Sequence, residues 1–156
     1  MKKMKREFKE IIDKFPGWLD RLQKSPSFSR DEIKNVPNQG IYVFYDEKNR
    51  PLYVGRSDRM RTRLFEHSRP GSGHNSATFA FILAKEKLKK TEIGITQSRN
   101  NLQLEKDFSE KYDEAKVDVS KMRVRVTEII EPAEQALFEI YAALELNTPY
   151  NVWENH

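Results

Sequence analysis

The 156-residue sequence contains no cysteine and only three histidines. It therefore has no disulfide framework, no thiolate metal site and no catalytic thiol, and so few histidines argue against a histidine-rich zinc site. No apolar run approaches the ~18 residues that a membrane-spanning helix needs, and no apolar signal core follows the basic N-terminus. These absences predict a cytoplasmic protein without a membrane partner.

The sequence is rich in charged residues. Charged residues make up 33% of the sequence and hydrophobic residues 37%, which is enough for one compact domain with a core. The formal net charge is +4 at pH 7, which permits a nucleic-acid partner but does not prove one. Function must therefore be argued from local motifs.

Two short segments in the middle of the chain predict a β-hairpin. Residues 40–45 and 51–55 have the period-two alternation of half-buried strands, and the polar residues 46–49 between them suit a turn. A hairpin rich in tyrosine is more often a plain structural element than a site. Whether this hairpin belongs to a functional site must be judged from motifs elsewhere in the sequence.

The pairing of this hairpin determines where its tyrosines point. If Tyr45 pairs with Arg50, then Tyr42 lies directly opposite Tyr53. Residues directly opposite each other in an antiparallel pair share a face of the sheet. We therefore expect two phenol hydroxyls to project side by side.

The segment after the hairpin is the most arginine-dense part of the chain. Ser57 suits a helix N-cap, and the helix is predicted to run to about Ser68. Arg63 and His67 are four residues apart, so they share a stripe of this helix. Arginines on a helix are usually solvated, but the forked guanidinium also suits phosphate. The arginines of this segment are Arg56, Arg59, Arg61, Arg63 and Arg69.

The remaining apolar periodicity predicts helices and a third strand. Residues 122–127 alternate as a strand, and Pro132 suits the first position of a final helix. In that helix an apolar stripe is predicted to face the core, formed by Leu137, Ile140, Tyr141 and Leu144. The sequence predicts an α+β (α/β) fold with a central three-stranded, mainly antiparallel sheet flanked by helices.

The predicted elements suggest how the chain is divided. Residues 1–36 are expected to form an N-terminal helical extension packed on the core, and residues 37–156 the main domain. A helical elaboration is expected at about 91–118 within that domain. Its neutral interpretation is structural.

The tripeptides Gly40-Ile41-Tyr42 and Tyr53-Val54-Gly55 resemble the two defining strands of the GIY-YIG endonuclease family. Separated residues agree with the family in order along the chain. Arg63 lies about ten positions beyond the second tyrosine, and His67 follows it by one helical turn. Glu139 and Asn151 match the closing segment, in which a helical glutamate precedes an asparagine. The chain thus looks like a small stand-alone member of this family.

The resemblance implies a metal-dependent endonuclease that hydrolyses DNA phosphodiester bonds by water attack. In this resemblance, Tyr42 would activate the water, Tyr53 would position phosphate or water, and His67 would take up the proton. Arg63 would bind the phosphate, and Glu139 would bind Mg²⁺ (or Mn²⁺). Asn151 would orient the hairpin or the glutamate. The further residues implied are His74 as an additional site residue, and Arg56, Arg59 and Arg61 as DNA-phosphate contacts. Glu134 and Glu145 are the rival carboxylates.

Two other functions stay open at this stage. One is a non-catalytic DNA-binding module of the same fold, and the other is a protein-interaction domain that uses residues 91–118. The sequence leaves the cleaved DNA form open, and the oligomeric state could be monomer or homodimer. A complete set of tyrosines, arginine, glutamate and asparagine favours the nuclease.

Overall fold

The computed structural model describes residues 2–73, 76–92 and 101–153. Two compact units make up the chain: Met1–Thr62 with Met122–His156, and Arg63–Lys121. No helix in the described part of the chain is long and apolar enough to cross a membrane. The elements are α1 Lys2–Ile12, α2 Phe15–Lys24, a 3₁₀ helix Arg30–Asn35, β1 Gly40–Tyr45, β2 Pro51–Ser57, α3 Met60–Glu66, α4 Thr78–Glu92, α5 Asn101–Ser120, β3 Arg123–Glu128 and α6 Pro132–Leu146.

The first unit is built on a three-stranded sheet in the order β2-β1-β3, in which both pairings are antiparallel. The central strand β1 is completely buried, as expected for a strand paired on both sides. With helices around this sheet, the predicted α+β fold is confirmed. The predicted division at residues 36 and 37 stays a prediction.

The register of the hairpin differs from the predicted one. Tyr42 pairs with Gly55 and Tyr53 pairs with Phe44, so the prediction that Tyr42 lies directly opposite Tyr53 is wrong. The error is two residues along β2, which leaves both phenols on the same face but in diagonal positions.

A longer turn than predicted causes this shift. The Asp46 carboxylate accepts hydrogen bonds from the backbone N–H groups of Lys48 and Arg50, each at 2.9 Å. Asn49 adopts a left-handed conformation with φ 60°, and the pairing is irregular between Phe44 and Tyr45. A turn closed by its own side chain therefore replaces the direct pairing of Tyr45 with Arg50.

The core of the first unit lies between the sheet and helices α2 and α6. Ile41, Val43 and Val54 supply the sheet side of the core, and Phe15 and Phe138 pack edge-on against each other with ring centroids 5.4 Å apart. Burying such aromatic pairs contributes both apolar area and specific ring geometry. The N-terminal helix α2 is thus part of this core.

The buried face of α6 differs from the predicted stripe. Leu137 and Tyr141 are half-buried, but Ile140 is 43% exposed and Leu144 is 61% exposed. The buried residues are Gln135, Phe138, Ala142 and Ala143. Two alanines allow the helix backbone to approach the sheet closely, so size complementarity rather than hydrophobicity selects the face.

The second unit contains a pair of helices, α4 and α5. Phe81 of α4 packs against Phe108 and Tyr112 of α5 with ring centroids 5.1 and 6.0 Å apart. Phe108 and Tyr112, one helical turn apart, therefore belong to the face of α5 that packs on α4. The predicted elaboration at 91–118 includes residues 93–100, which lie outside the described residues.

Gly55 is a position at which the hairpin has no room for a side chain. A Cβ atom there would collide with the ring and hydroxyl of Tyr42. We predict that Gly55→Ala lowers the free energy of unfolding by roughly 1–3 kcal/mol, because an overpacked core forces strain. Urea denaturation measures the change.

Gly17→Ala is the matched control, since a Cβ at Gly17 meets nothing within 4 Å. Gly17 lies in the first turn of α2, so alanine there leaves stability unchanged or slightly raised. Equal losses in the two variants would contradict the close approach of Tyr42 to Gly55.

Candidate functional site

The two tyrosines of the predicted site lie on one face of the hairpin. Tyr42 is only 1% exposed, and its ring packs edge-on against Phe44 with centroids 5.8 Å apart. Tyr53 is half-buried, so it is the more accessible phenol. The register places Arg56 opposite Ile41, on the other face of the sheet from the tyrosines.

Asn151 is bound to the edge of strand β2. Its Oδ1 accepts a hydrogen bond from the Val54 N–H at 2.9 Å, and its Nδ2 donates to the Val54 carbonyl at 2.8 Å. The Thr148 hydroxyl also donates to Oδ1 at 2.7 Å. The side-chain amide therefore satisfies both backbone groups of Val54, as a neighbouring strand would. Asn151 fixes the strand that carries Tyr53.

Glu139 is a partly desolvated carboxylate on α6. Burial raises its pKa above the usual value, and the positive charge of Arg56 opposes this shift. The Arg56 guanidinium donates to the carbonyl of Pro132, the first residue of α6, at 3.4 Å. A carboxylate that is desolvated and faces a specific cation is typical of functional sites.

The rival carboxylates have more ordinary surroundings. Glu134 lies 3.6 Å from the Lys14 ammonium in a partly exposed ion pair. Glu145 is exposed. Of the three glutamates, Glu139 combines burial of its charge with a nearby arginine, so it remains the strongest candidate ligand.

The donor set fits a hard divalent cation that keeps most of its ligands as water and phosphate. Mg²⁺ is commonly bound through one or two carboxylates together with substrate phosphates. The described residues contain no group of three histidine, aspartate or glutamate side chains that could enclose a metal. A lone desolvated carboxylate such as Glu139 suits this open mode of binding, because a cation would offset its buried charge.

Arg63 lies in the second unit, where it is bound by neighbouring groups. Its Nη1 donates to the Ser76 carbonyl at 2.8 Å, and its Nη2 lies 3.4 Å from the Thr78 hydroxyl oxygen. The Glu66 carboxylate is 3.6 Å from Nη1. With its side chain 19% exposed, the guanidinium is held in one orientation and still reaches solvent.

His67 is completely buried, and its pKa is lowered to about 3. Burial is the main cause, and the positive charge of Arg63 adds to it. The ring is therefore neutral near pH 7 and a weak proton acceptor. His74, the additional predicted site residue, lies outside the described residues.

Several residues that contact Arg63 were not predicted from the sequence. Glu66 is three positions after Arg63, a spacing that could have indicated the ion pair. Ser76, in the turn before α4, and Thr78, the first residue of α4, hold Arg63, and no periodicity signals such contacts. The remaining predicted DNA contacts, Arg59 and Arg61, are exposed.

The sheet and hairpin define a small α+β domain that carries two tyrosines on one face of the hairpin. Residues 38–115, half of the chain, match the family model for the UvrC-like GIY-YIG domain. The chain therefore belongs to the GIY-YIG family, whose members are generally endonucleases. The match ends before α6, so Glu139 and Asn151 lie beyond it. Neither a curated protein nor a solved structure matches the chain.

The amide of Asn151 gives a stability prediction. Asn151→Asp removes the Nδ2 donor and places a negative charge against the Val54 carbonyl, so the free energy of unfolding falls by about 2 kcal/mol. Urea denaturation near pH 7 measures it. Asn35→Asp, at an exposed asparagine, is the matched control and changes stability little. A similar small effect at both positions would contradict the bonding of Asn151.

The buried histidine gives a pH prediction. Because the unfolded chain binds a proton at His67 near pH 6.5 and the folded chain only near pH 3, stability falls as the pH drops below about 6.5. The contribution is at most about 1.4 kcal/mol per pH unit and vanishes above neutrality. His67→Leu flattens this dependence between pH 7 and pH 4.5, as measured by urea denaturation.

Other groups titrate in the same range, but they do so equally in the wild type and in His67→Leu. The difference between the two slopes therefore isolates His67. Parallel slopes would show that the histidine is protonated as easily in the folded protein as in the unfolded chain.

Proposed function

We propose that this protein is a metal-dependent endonuclease that hydrolyses phosphodiester bonds of DNA. The observation that carries the proposal is the half-buried Glu139 carboxylate on α6, near Arg56, whose guanidinium donates to the Pro132 carbonyl of the same helix at 3.4 Å. An isolated buried carboxylate is costly unless a cation or a proton balances it. Because the nucleases of this family typically depend on a divalent metal, we infer that the cation is a metal ion.

Glu139 is the residue that would hold the divalent cation, Mg²⁺ or Mn²⁺. When bound, the cation supplies Lewis-acid stabilisation of the phosphoryl oxygens. Arg56, close enough to lower the pKa of this carboxylate, favours its ionised form. An ionised carboxylate is the form that binds a hard cation.

Arg63 binds the scissile phosphate and offsets the negative charge that develops there in the transition state. Its support is the fixed orientation that Ser76, Thr78 and Glu66 give to the guanidinium. A donor that is already oriented costs no reorganisation at the moment of reaction. Arg59 and Arg61, both exposed, contact neighbouring DNA phosphates.

Water is the nucleophile, and the phenols of Tyr42 and Tyr53 orient and activate it. A phenol with a pKa near 10 is a weak base, so its main contribution is to accept and relay a hydrogen bond. His67 is neutral near pH 7, so it acts here as a hydrogen-bonding group rather than as an imidazolium. Asn151 acts as a positioning residue for the strand that carries Tyr53.

The assignment of Glu139 as the metal ligand is tested by substitution. Glu139→Gln is expected to lower metal-dependent nicking of supercoiled plasmid by at least about a hundredfold, since a preorganised electrostatic contact is lost. Arg63→Ala is expected to cause a comparable loss. Initial nicking rates with and without Mg²⁺ measure both effects.

Glu134→Gln is the matched control, because Glu134 lies on the same helix and pairs with Lys14. It retains the wild-type rate. Full activity of Glu139→Gln would remove the carboxylate from the proposed mechanism. Salt-dependent DNA binding by a wild-type protein that does not nick would instead indicate a binding module.

A further inference from the structure

A second polar cluster, within the unit Arg63–Lys121, surrounds the carbonyl oxygen of Ser72. The Tyr112 hydroxyl donates to this oxygen at 3.0 Å, and the Lys116 ammonium donates to it at 3.2 Å. Tyr112 and Lys116 lie one turn apart on α5, so they present their donors on one side of the helix. A carbonyl oxygen has two lone pairs, and α5 occupies both.

The burial of Lys116 shows that this contact is specific. Lys116 is only 5% exposed, which is exceptional for a lysine. Its ammonium lies 4.2 Å from the centroid of the Tyr112 ring and 3.8 Å from an Asp113 carboxylate oxygen. Because Asp113 is 75% exposed, that ion pair stabilises little. The buried cation therefore depends on the Ser72 carbonyl and on the aromatic ring.

The backbone of Ser72, rather than its side chain, is what α5 holds. The Ser72 hydroxyl is buried and has no hydrogen-bond partner within the described part of the chain. The Ser72 N–H donates to the Arg69 carbonyl at 3.1 Å, and Gly71 has a positive φ of 86°. The chain is thus held in a tight turn immediately before the carbonyl that contacts α5.

Backbone hydrogen bonds connect this turn to Arg63. The Gly73 carbonyl, one peptide beyond Ser72, accepts from the N–H groups of Ser76 at 3.0 Å and Ala77 at 2.9 Å. The Ser76 carbonyl in turn accepts from Arg63 Nη1 at 2.8 Å. Each step is a direct hydrogen bond or a single peptide, so displacement of the Ser72 carbonyl is transmitted to the guanidinium.

We infer that Tyr112 and Lys116 are positioning residues for Arg63. They fix the Ser72 carbonyl, which fixes the turn whose Ser76 carbonyl holds the guanidinium. Helix α5 therefore contributes to the transition-state stabilisation proposed for Arg63 without touching the phosphate. The consequence for cleavage depends on the proposed function, whereas the effect on the turn does not.

The test uses two variants of the full chain, Tyr112→Phe and Lys116→Met. Tyr112→Phe removes one oxygen atom and keeps the ring that packs against Phe81, so it preserves the fold. Lys111→Met is the matched control, because Lys111 is on the same helix and its ammonium pairs with the exposed Glu114 at 3.5 Å rather than with the Ser72 carbonyl. Thermal unfolding checks that all three variants are folded.

The first readout is amide hydrogen exchange at Ser76 and Ala77, measured by NMR without DNA. Faster exchange at these amides is expected in Tyr112→Phe and Lys116→Met but not in Lys111→Met. The second readout is plasmid nicking, in which kcat falls roughly three- to tenfold with KM little changed, as expected when one hydrogen bond is lost.

Unchanged exchange at Ser76 and Ala77 in both variants overturns the inference, whatever the nicking rates. Faster exchange with an unaltered kcat also overturns it, since the turn would then move without affecting Arg63. A wild type that does not nick contradicts the proposed function alone. In that case, the inference is decided by exchange together with the NMR signal of the Arg63 Nε–H group, which shifts in both variants if the inference holds.

Discussion

The close approach of the Tyr42 ring to Gly55 is the contact on which the hairpin depends. The ring occupies the space that any side chain at position 55 would need, so only glycine permits it. This contact fixes the register, because a shift along β2 would bring a residue with a Cβ atom beneath the ring. It also explains in steric terms why a tyrosine on one strand accompanies a glycine on the next. The tyrosine of the first tripeptide and the glycine of the second thus share one packing constraint.

Both edges of the sheet are closed by short segments instead of further strands. Asn151 satisfies the backbone of Val54 on β2, and Phe28 exchanges two backbone hydrogen bonds of 2.8 Å with Val124 on β3. An uncovered edge strand invites pairing with another chain. Three strands can therefore form a stable sheet here because side-chain amide and loop groups replace missing neighbours. On the β2 side, the closing residue is also one that the family resemblance singles out.

The sequence predicted the strands and the helices near the sheet, because these follow from local patterns, and the candidate residues that it named stay predictions. Prediction from the sequence failed for the buried face of α6 and for the register of the hairpin. Hydrophobicity favoured Ile140 and Leu144 as buried residues of α6, yet both are exposed and Ala142 and Ala143 are buried. Local hydrophobicity does not record how closely a helix approaches a sheet. The predicted register of the hairpin was wrong because the turn is longer than predicted, and the hydrogen bonds that the Asp46 carboxylate accepts stabilise this longer turn.

The sequence alone determined the kinds of chemistry available: two phenols, a guanidinium, a carboxylate and no thiol. It also determined their order along the chain, which is what resembles the nuclease family. Only the tertiary structure decided their physical state. Burial raises the pKa of Glu139 and lowers that of His67, and contacts from Ser76 and Thr78 hold Arg63. Desolvation and long-range hydrogen bonds arise from neighbours distant in the chain, which no local pattern encodes.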